Sequence, residues 1–365
     1  VLRSTSDAIR VRGTGNTVTN NGTIVGAGEL PDNGTDGIDG GHNLTVINNG
    51  TITATNKGID AEEKNNLYVV NNGTISAYDK AIRNADGANG SLTNNGLIES
   101  EIDEGFESGN NAWVLNNGTI RASDDAIQVG ENASIFNYGL IESVLRGGDE
   151  DDPQDGIDID SGVIHNYAKG VIRSDDDAAI DYDESVVTST INNYGRIEGT
   201  IGVLTDPANT ATQIIYNYGT LTGTSGVSVD LGFGDDELRL YNGSMLNGDA
   251  LLGDGADTAY FGAGIFADVT NGVIDGGEGF DTAVFALMGF SELLSVALDG
   301  EVMSLTLLSD WADYTVSFRN FDLFRFADGD YTWAELATPA AVPVPAAGLM
   351  LFAALGGLVA LRRRR

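Results

Sequence analysis

One five-residue phrase constrains this chain more than any other feature. Asn-Asn-Gly-Thr-Ile stands at residues 20–24, 48–52, 71–75 and 116–120, with Leu97 in place of threonine in the copy at 94–98. Later copies change the second position, as in Asn137-Tyr138-Gly139, Asn193-Tyr194-Gly195 and Asn217-Tyr218-Gly219. Asn166-Tyr167-Ala168-Lys169-Gly170 carries an insertion before its glycine. The glycines Gly22, Gly50, Gly73, Gly96, Gly118, Gly139, Gly170, Gly195 and Gly219 fall 21 to 31 residues apart. Self-similarity at such a period is the signature of a repeat architecture.

Two further elements lie inside each period. One reads small residue, aliphatic or Phe, then mostly polar, as in Gly37-Ile38-Asp39, Gly58-Ile59-Asp60, Gly105-Phe106-Glu107 and Ala179-Ile180-Asp181. The other is an apolar position just before the Asn pair, such as Val46, Val69 and Val114. Each unit therefore predicts three short alternating strands separated by Gly- and Asn-containing corners. Asn-Gly alone would suggest a hairpin turn. That reading explains poorly why the second Asn yields to Tyr138, Tyr167, Tyr194 and Tyr218 while the first never changes. Stacked coils about 4.8 Å apart explain both. The first asparagines would form an internal ladder of amides, and the tyrosines would stack outside. Leucine-rich repeats need a leucine pattern that is missing, and a propeller needs roughly forty residues per blade. The fold class expected is all-β, a parallel β-helix.

Composition narrows the function. The chain has no cysteine and two histidines, His42 and His165, so disulfides, Cys-based zinc sites and most His-based catalysis are excluded. Acids outnumber bases 54 to 19, for a net charge of −35. That balance argues against nucleic acid as a partner and favours cations.

Three stretches resemble known families. The Asn-Asn-Gly-Thr-Ile units resemble passenger repeats of bacterial autotransporters, within the pectin-lyase-like superfamily, which implies a right-handed β-helix over residues 1–225. No series of membrane strands follows them. Over 226–285 come Leu231-Gly232-Phe233-Gly234-Asp235-Asp236, Leu252-Gly253-Asp254-Gly255-Ala256-Asp257 and Gly276-Gly277-Glu278-Gly279-Phe280-Asp281. These resemble the calcium-binding nonapeptides of RTX proteins. Glycines allow a tight loop with inward carbonyls, and the Asp supplies a hard anionic oxygen. The blocks stand one per coil rather than in tandem. The resemblance implies one or two calcium ions held around Gly232, Gly234, Asp236, Gly253, Gly255, Asp257, Gly276, Gly277, Gly279 and Asp281. Residues 286–338 leave the pattern and hold many aromatics, including Trp311, Phe318, Phe324, Phe326 and Trp333. They are read as a β-rich cap, because a solenoid end exposes strand edges.

The tail, 339–365, resembles the PEP-CTERM class of sorting signals, in its Val-Pro-Leu-Pro-Ala variant. Val342-Pro343-Val344-Pro345-Ala346 is followed by an apolar run to Leu361 and by Arg362, Arg363, Arg364 and Arg365. As a helix the run from Ala346 would span about 24 Å, close to a hydrocarbon core of roughly 30 Å. The expectation is a single C-terminal transmembrane helix, with the arginines on the cytoplasmic side. The resemblance implies export to a bacterial envelope or cell surface and an exosortase-like processing enzyme as partner. Val1-Leu2-Arg3-Ser4 shows no apolar run of a signal peptide.

Some β-helices cleave polysaccharides, and the acids are the residues here that could do so. Asp155 and Asp176 are 21 residues apart, about one coil, and could face each other as acid and base. Asp124-Asp125 and Asp175-Asp176-Asp177 resemble paired acids of polygalacturonase-like hydrolases, but the Gly-His and Arg-x-Lys that family expects do not follow. Arg146 and Arg173 are possible but unspecific bases for a lyase. The column Asp7, Asp36, Lys57, Lys80, Glu104, Asp125, Asp155 changes sign and suits a solvated face. No catalytic residue is assigned. The expectation is an exported, adhesin-like or matrix rod of roughly 55–60 Å, with an extracellular polysaccharide or another cell surface as partner. A polysaccharide hydrolase or lyase is the alternative.

Overall fold

The computed structural model describes residues 1–29, 34–85, 87–144, 154–262, 270–308 and 313–338. Within them the chain winds as a parallel β-solenoid. Thr51–Ala54 lies between Thr23–Gly26 and Thr74–Ala77, with Ile52 beside Ile24 and Ile75. Ile59–Asp60 lies between Ile38–Asp39 and Ile82–Asn84. Tyr68–Asn71 lies between Thr45–Asn48 and Ser91–Asn94. Each coil thus contributes one strand to each of three ladders, the three strands the repeat predicts. From Arg196–Thr205 onward the first two ladders fuse, because that strand pairs with both Val171–Ser174 and Ala178–Tyr182. Thr220–Asp230 continues the fused form.

Period-2 alternation places one residue type in each interior lane. The lane Ile24, Ile52, Ile75, Ile98, Ile120, Ile141, Ile172, Ile197 and Leu221 is buried throughout. Each such side chain contributes roughly 1.5–3 kcal/mol by leaving water. The first asparagines form the predicted ladder. Asn48 Nδ2 donates to Asn71 Oδ1 at 2.8 Å and to Thr74 O at 2.9 Å, while its Oδ1 accepts from Asn20 Nδ2 and from Gly50 N. The pattern repeats through Asn94, Asn116, Asn137, Asn166 and Asn193 to Asn217. There it stops, because Leu240 takes the next position. The lane continues as stacked rings, Phe261 on Phe285 at 4.8 Å and Phe285 on Phe326 at 4.9 Å.

The glycine of the repeat serves close approach rather than an unusual turn. Gly50, Gly73 and Gly96 keep negative φ, but a Cβ at Gly73 would fall on the carbonyl oxygen of Gly50. Five left-handed asparagines sit at another corner, Asn43, Asn66, Asn89, Asn111 and Asn132, with φ of 53 to 62°. Three of them make a further amide ladder, Asn89 to Asn66 to Asn43. Asparagine tolerates this conformation better than most residues.

At the far end the chain reverses. Leu293–Asp299, Val302–Leu307 and Tyr314–Arg319 pair antiparallel in sequence. Tyr314–Arg319 also adds to Val273–Asp275, and Leu323–Phe326 to Thr282–Phe285, both parallel. These residues close the last coil. Phe318 meets Phe261, Phe285 and Phe324 edge to face.

The expected transmembrane helix is corrected. Among the described residues no helix is long and apolar enough to cross a membrane. Among the described residues the helical segments are the four-residue α-helix Trp333–Leu336 and the 3-10 turn Phe290–Glu292, and strands make up the rest of the regular structure. The apolar run that suggested a span, the motif Val342–Ala346 and Arg362–Arg365 lie outside the described residues.

Candidate functional site

Two corners of the solenoid concentrate carboxylates, and both use them alike. In the Gly-Asp coils, the Oδ1 atoms of Asp236, Asp257 and Asp281 accept the backbone N–H of Gln213, Asp236 and Asp257, at 2.6, 2.7 and 2.9 Å. Asp322 extends the column by accepting from Asp281 N at 3.0 Å. Each acid caps the coil before it. The sequence blocks end at Asp281, so Asp322 was not foreseen. Its signal is Asp322-Leu323-Phe324, an acid followed two residues later by a core residue, as in Asp281-Thr282-Ala283.

The Gly-Asp loops also stack. Asp254-Gly255 pairs with Glu278-Gly279, and Phe233 bridges to Asp254. The Cβ positions of Gly253, Gly255, Gly277 and Gly279 point onto carbonyl oxygens of Gly232, Gly234, Gly253 and Gly255. Only glycine fits this cradle of main-chain oxygens. A cleft of about 770 Å³ opens beside it, lined by Asp254, Glu278, Glu301, Asp322 and Trp333 among others.

Three observations bear on calcium. The Oδ2 atoms of Asp236, Asp257 and Asp281 are buried without a hydrogen-bond partner. Burial, against their hydrogen bonds, pushes these carboxyls up to about 8, 7 and 6. The surrounding donors are hard oxygens, as calcium requires. The residues therefore fit the ion. Among the described residues the three acids that converge tightly lie elsewhere, at Asp103, Glu104 and Asp124. There Lys80 Nζ sits 2.6 Å from Glu104 and 3.4 Å from Asp103, and supplies the positive charge itself.

The second corner precedes the Gly/Ala-Ile strands. Asp125 Oδ1 accepts from Asp155 N at 2.7 Å, and Asp155 Oδ1 accepts from Ala178 N at 2.8 Å. Asp36 does the same for Lys57 N at 3.1 Å. This corrects the solvated-face reading of the column, since Asp36, Glu104, Asp125 and Asp155 are all buried. Asp36, Asp125 and Asp155 satisfy backbone donors at tight corners, and Glu104 pairs with Lys80. It also corrects the register of the candidate acid pair. Ile157 stands beside Ile180, so Asp155 stands beside Ala178 and not Asp176, which is exposed. The candidate base Arg173 is engaged by Glu142 at 2.8 Å, and Arg146 lies outside the described residues.

Acids gather farther along this side of the solenoid. Asp158 and Asp181 are neighbours in register, and Asp158, Asp160 and Asp183 line a groove of about 210 Å³. Burial foremost, then neighbouring acids, pushes Asp155 to about 9, Asp158 to about 8 and Asp181 to about 7. Asp125 is held well above the ordinary range for the same reasons. His42 Nδ1 accepts from Asn65 N, and His165 stacks on Phe136 on the outer surface.

No protein-family model, curated protein or solved structure matches the chain.

Proposed function

We propose that this chain is a structural rod of a bacterial cell surface or extracellular matrix, adhesin-like in use and stiffened by calcium at its Gly-Asp coils. The observation that carries the reading is the investment of the polar residues. Eight consecutive amide–amide bonds run from Asn20 to Asn217, and both acid corners bind backbone donors. Asn and Asp side chains that could do chemistry are used to lock coil to coil. Export rests on the resemblance of Val342–Ala346 to a sorting motif, with an exosortase-like enzyme as the processing partner. Immunolabelling of intact cells of the source organism is expected to find the chain at the surface. Recovery from the cytosolic fraction alone would overturn the reading.

Calcium would be held by Asp236, Asp257 and Asp281 together with carbonyls of Gly232, Gly234, Gly253, Gly255, Gly276, Gly277 and Gly279. The ion supplies positive charge to carboxylates whose ionised form burial disfavours. At a hundredfold excess over its Kd, one ion stabilises the fold by about 2.7 kcal/mol. Calorimetry is expected to show a higher Tm with calcium than with chelator, and Asp257→Asn is expected to shrink that difference. Equal Tm values in both conditions would remove calcium from the reading.

A further inference from the structure

The three outer faces of the solenoid differ in charge. One carries the column Arg10, Asp39, Asp60, Arg83, Glu107, and a second the column Glu99, Arg121, Glu142, Arg173. The third face belongs to the fourteen-stranded sheet that starts at Thr17–Asn20. Its strands hold almost no charged side chains. Glu237 and Arg239 pair at 2.5 Å, Arg325 and Asp330 pair at 3.2 Å, and all four lie near the C-terminal end. Burial lowers the pKa of His165, so it is neutral near pH 7. On a chain of net charge −35 this is an uncharged strip.

The strip is also the aromatic face. Tyr68, Trp113 and Val163 alternate with Ser91 and Ser134 in one outward column and are 42, 38 and 37% exposed. Phe136 and His165 occupy the next column, with rings stacked at 5.2 Å. Depletion of charge and enrichment of aromatics are the marks of an interface core.

We propose that two copies of this chain pair through this face, sheet against sheet. Charge selects the partner. Two molecules of net charge −35 repel at long range, and a face that presents no charge is where two copies approach at low electrostatic cost. A two-fold pairing of one strip with itself meets that condition. Area permits it. The nine strands from Thr17–Asn20 to Gln213–Asn217, of four to five residues each, give an uncharged strip of roughly 15 Å by roughly 43 Å, about 650 Å² per copy. Specific interfaces bury about 600–1,000 Å² per partner. Flat sheet faces pack about 10 Å apart with interleaved side chains, which these outward columns allow.

The test is sedimentation velocity on the full chain over a range of concentration and salt. The wild type is expected to sediment as a dimer, and added salt to tighten it by screening the residual repulsion. The double variant Trp113→Lys, Val163→Lys is expected to weaken the dimer at least tenfold with an unchanged circular-dichroism spectrum. Lysine lowers the net negative charge, so the loss cannot come from greater overall repulsion. Thr53→Lys, on another face, is expected to leave the dimer intact. A wild type monomeric under every condition overturns the proposal, as does a double variant that still dimerises or a Thr53→Lys chain that does not. A monomer retarded in gels containing hydroxyethyl cellulose overturns it too, and gives the face to a neutral glycan.

Discussion

Replacing Asn116 by alanine is expected to cost about 3–5 kcal/mol of stability, the sum over several buried groups left unpaired. Asn116 is fully buried and bonded on four sides. Its Oδ1 accepts from Asn94 Nδ2 at 2.9 Å and Gly118 N at 3.2 Å, and its Nδ2 donates to Asn137 Oδ1 at 2.9 Å and Leu140 O at 3.0 Å. The adjacent residue is the control. Asn117 belongs to the exposed outer ladder, where its Nδ2 meets Asn95 Oδ1 at 2.8 Å. Water replaces that bond, so Asn117→Ala is expected to cost within about 1 kcal/mol. Urea unfolding of both variants measures the contrast. Solenoid coils depend mainly on their neighbours, so faster amide exchange is expected to centre on residues 94–140. Equal costs for the two variants would mean that the inner ladder is not what holds the coils.

The second large effect concerns pH, and its direction is opposite to that of most proteins. Asp125, Asp155, Asp158 and Asp181 all bind protons more tightly folded than unfolded. The groups that face them are acids as well, chiefly Asp124, Asp177, Asp183 and Asp206, with Gln128 the neutral neighbour of Asp158. Between the unfolded carboxyl value near 4 and the folded values of about 7 to 9, the native chain holds protons that the unfolded chain has released. Stability from this cluster is therefore complete below about pH 4 and is lost as pH rises through 7 to 9. The Tm is expected to fall by roughly 5–10 °C from pH 5 to pH 9. Asp158→Asn removes one of the titrating groups and is expected to flatten that slope. A Tm that rises or stays level over this range would show that the cluster ionises freely.

How much of this was legible in the sequence depends on what each residue repeats. Asn48 and its equivalents never vary, so a one-per-coil interior role could be read from the chain alone. The glycine after them was equally visible, but not its reason, since the conflict at Gly73 is with a carbonyl one coil away. Asn43, Asn66 and Asn89 recur as regularly, yet the residues after them change from Leu44 to Gly90, which hid the corner they share. The register of Asp155 was misjudged because coil length varies. Twenty-one residues suits one coil and falls two short in the next, and a slip of two keeps the face but changes the neighbour. The buried use of the corner acids was illegible for a different reason. Alternating sign along a column looks like a surface, whereas the backbone donors that consume those oxygens carry no sequence signal at all.

The inner asparagine ladder has a direction. Every Nδ2 donates toward the C-terminal coil, so the amide dipoles add instead of cancelling. Each resembles a peptide unit of about 3.5 D, and hydrogen bonds in such a series polarise one another. The negative end is the carbonyl side at Asn20, and the positive end is Asn217, whose Nδ2 is buried without a partner. The next coils carry Asp236, Asp257 and Asp281. The rod is therefore electrically polar along its axis, with the positive pole of its side-chain wire directed at the coils that carry those three aspartates.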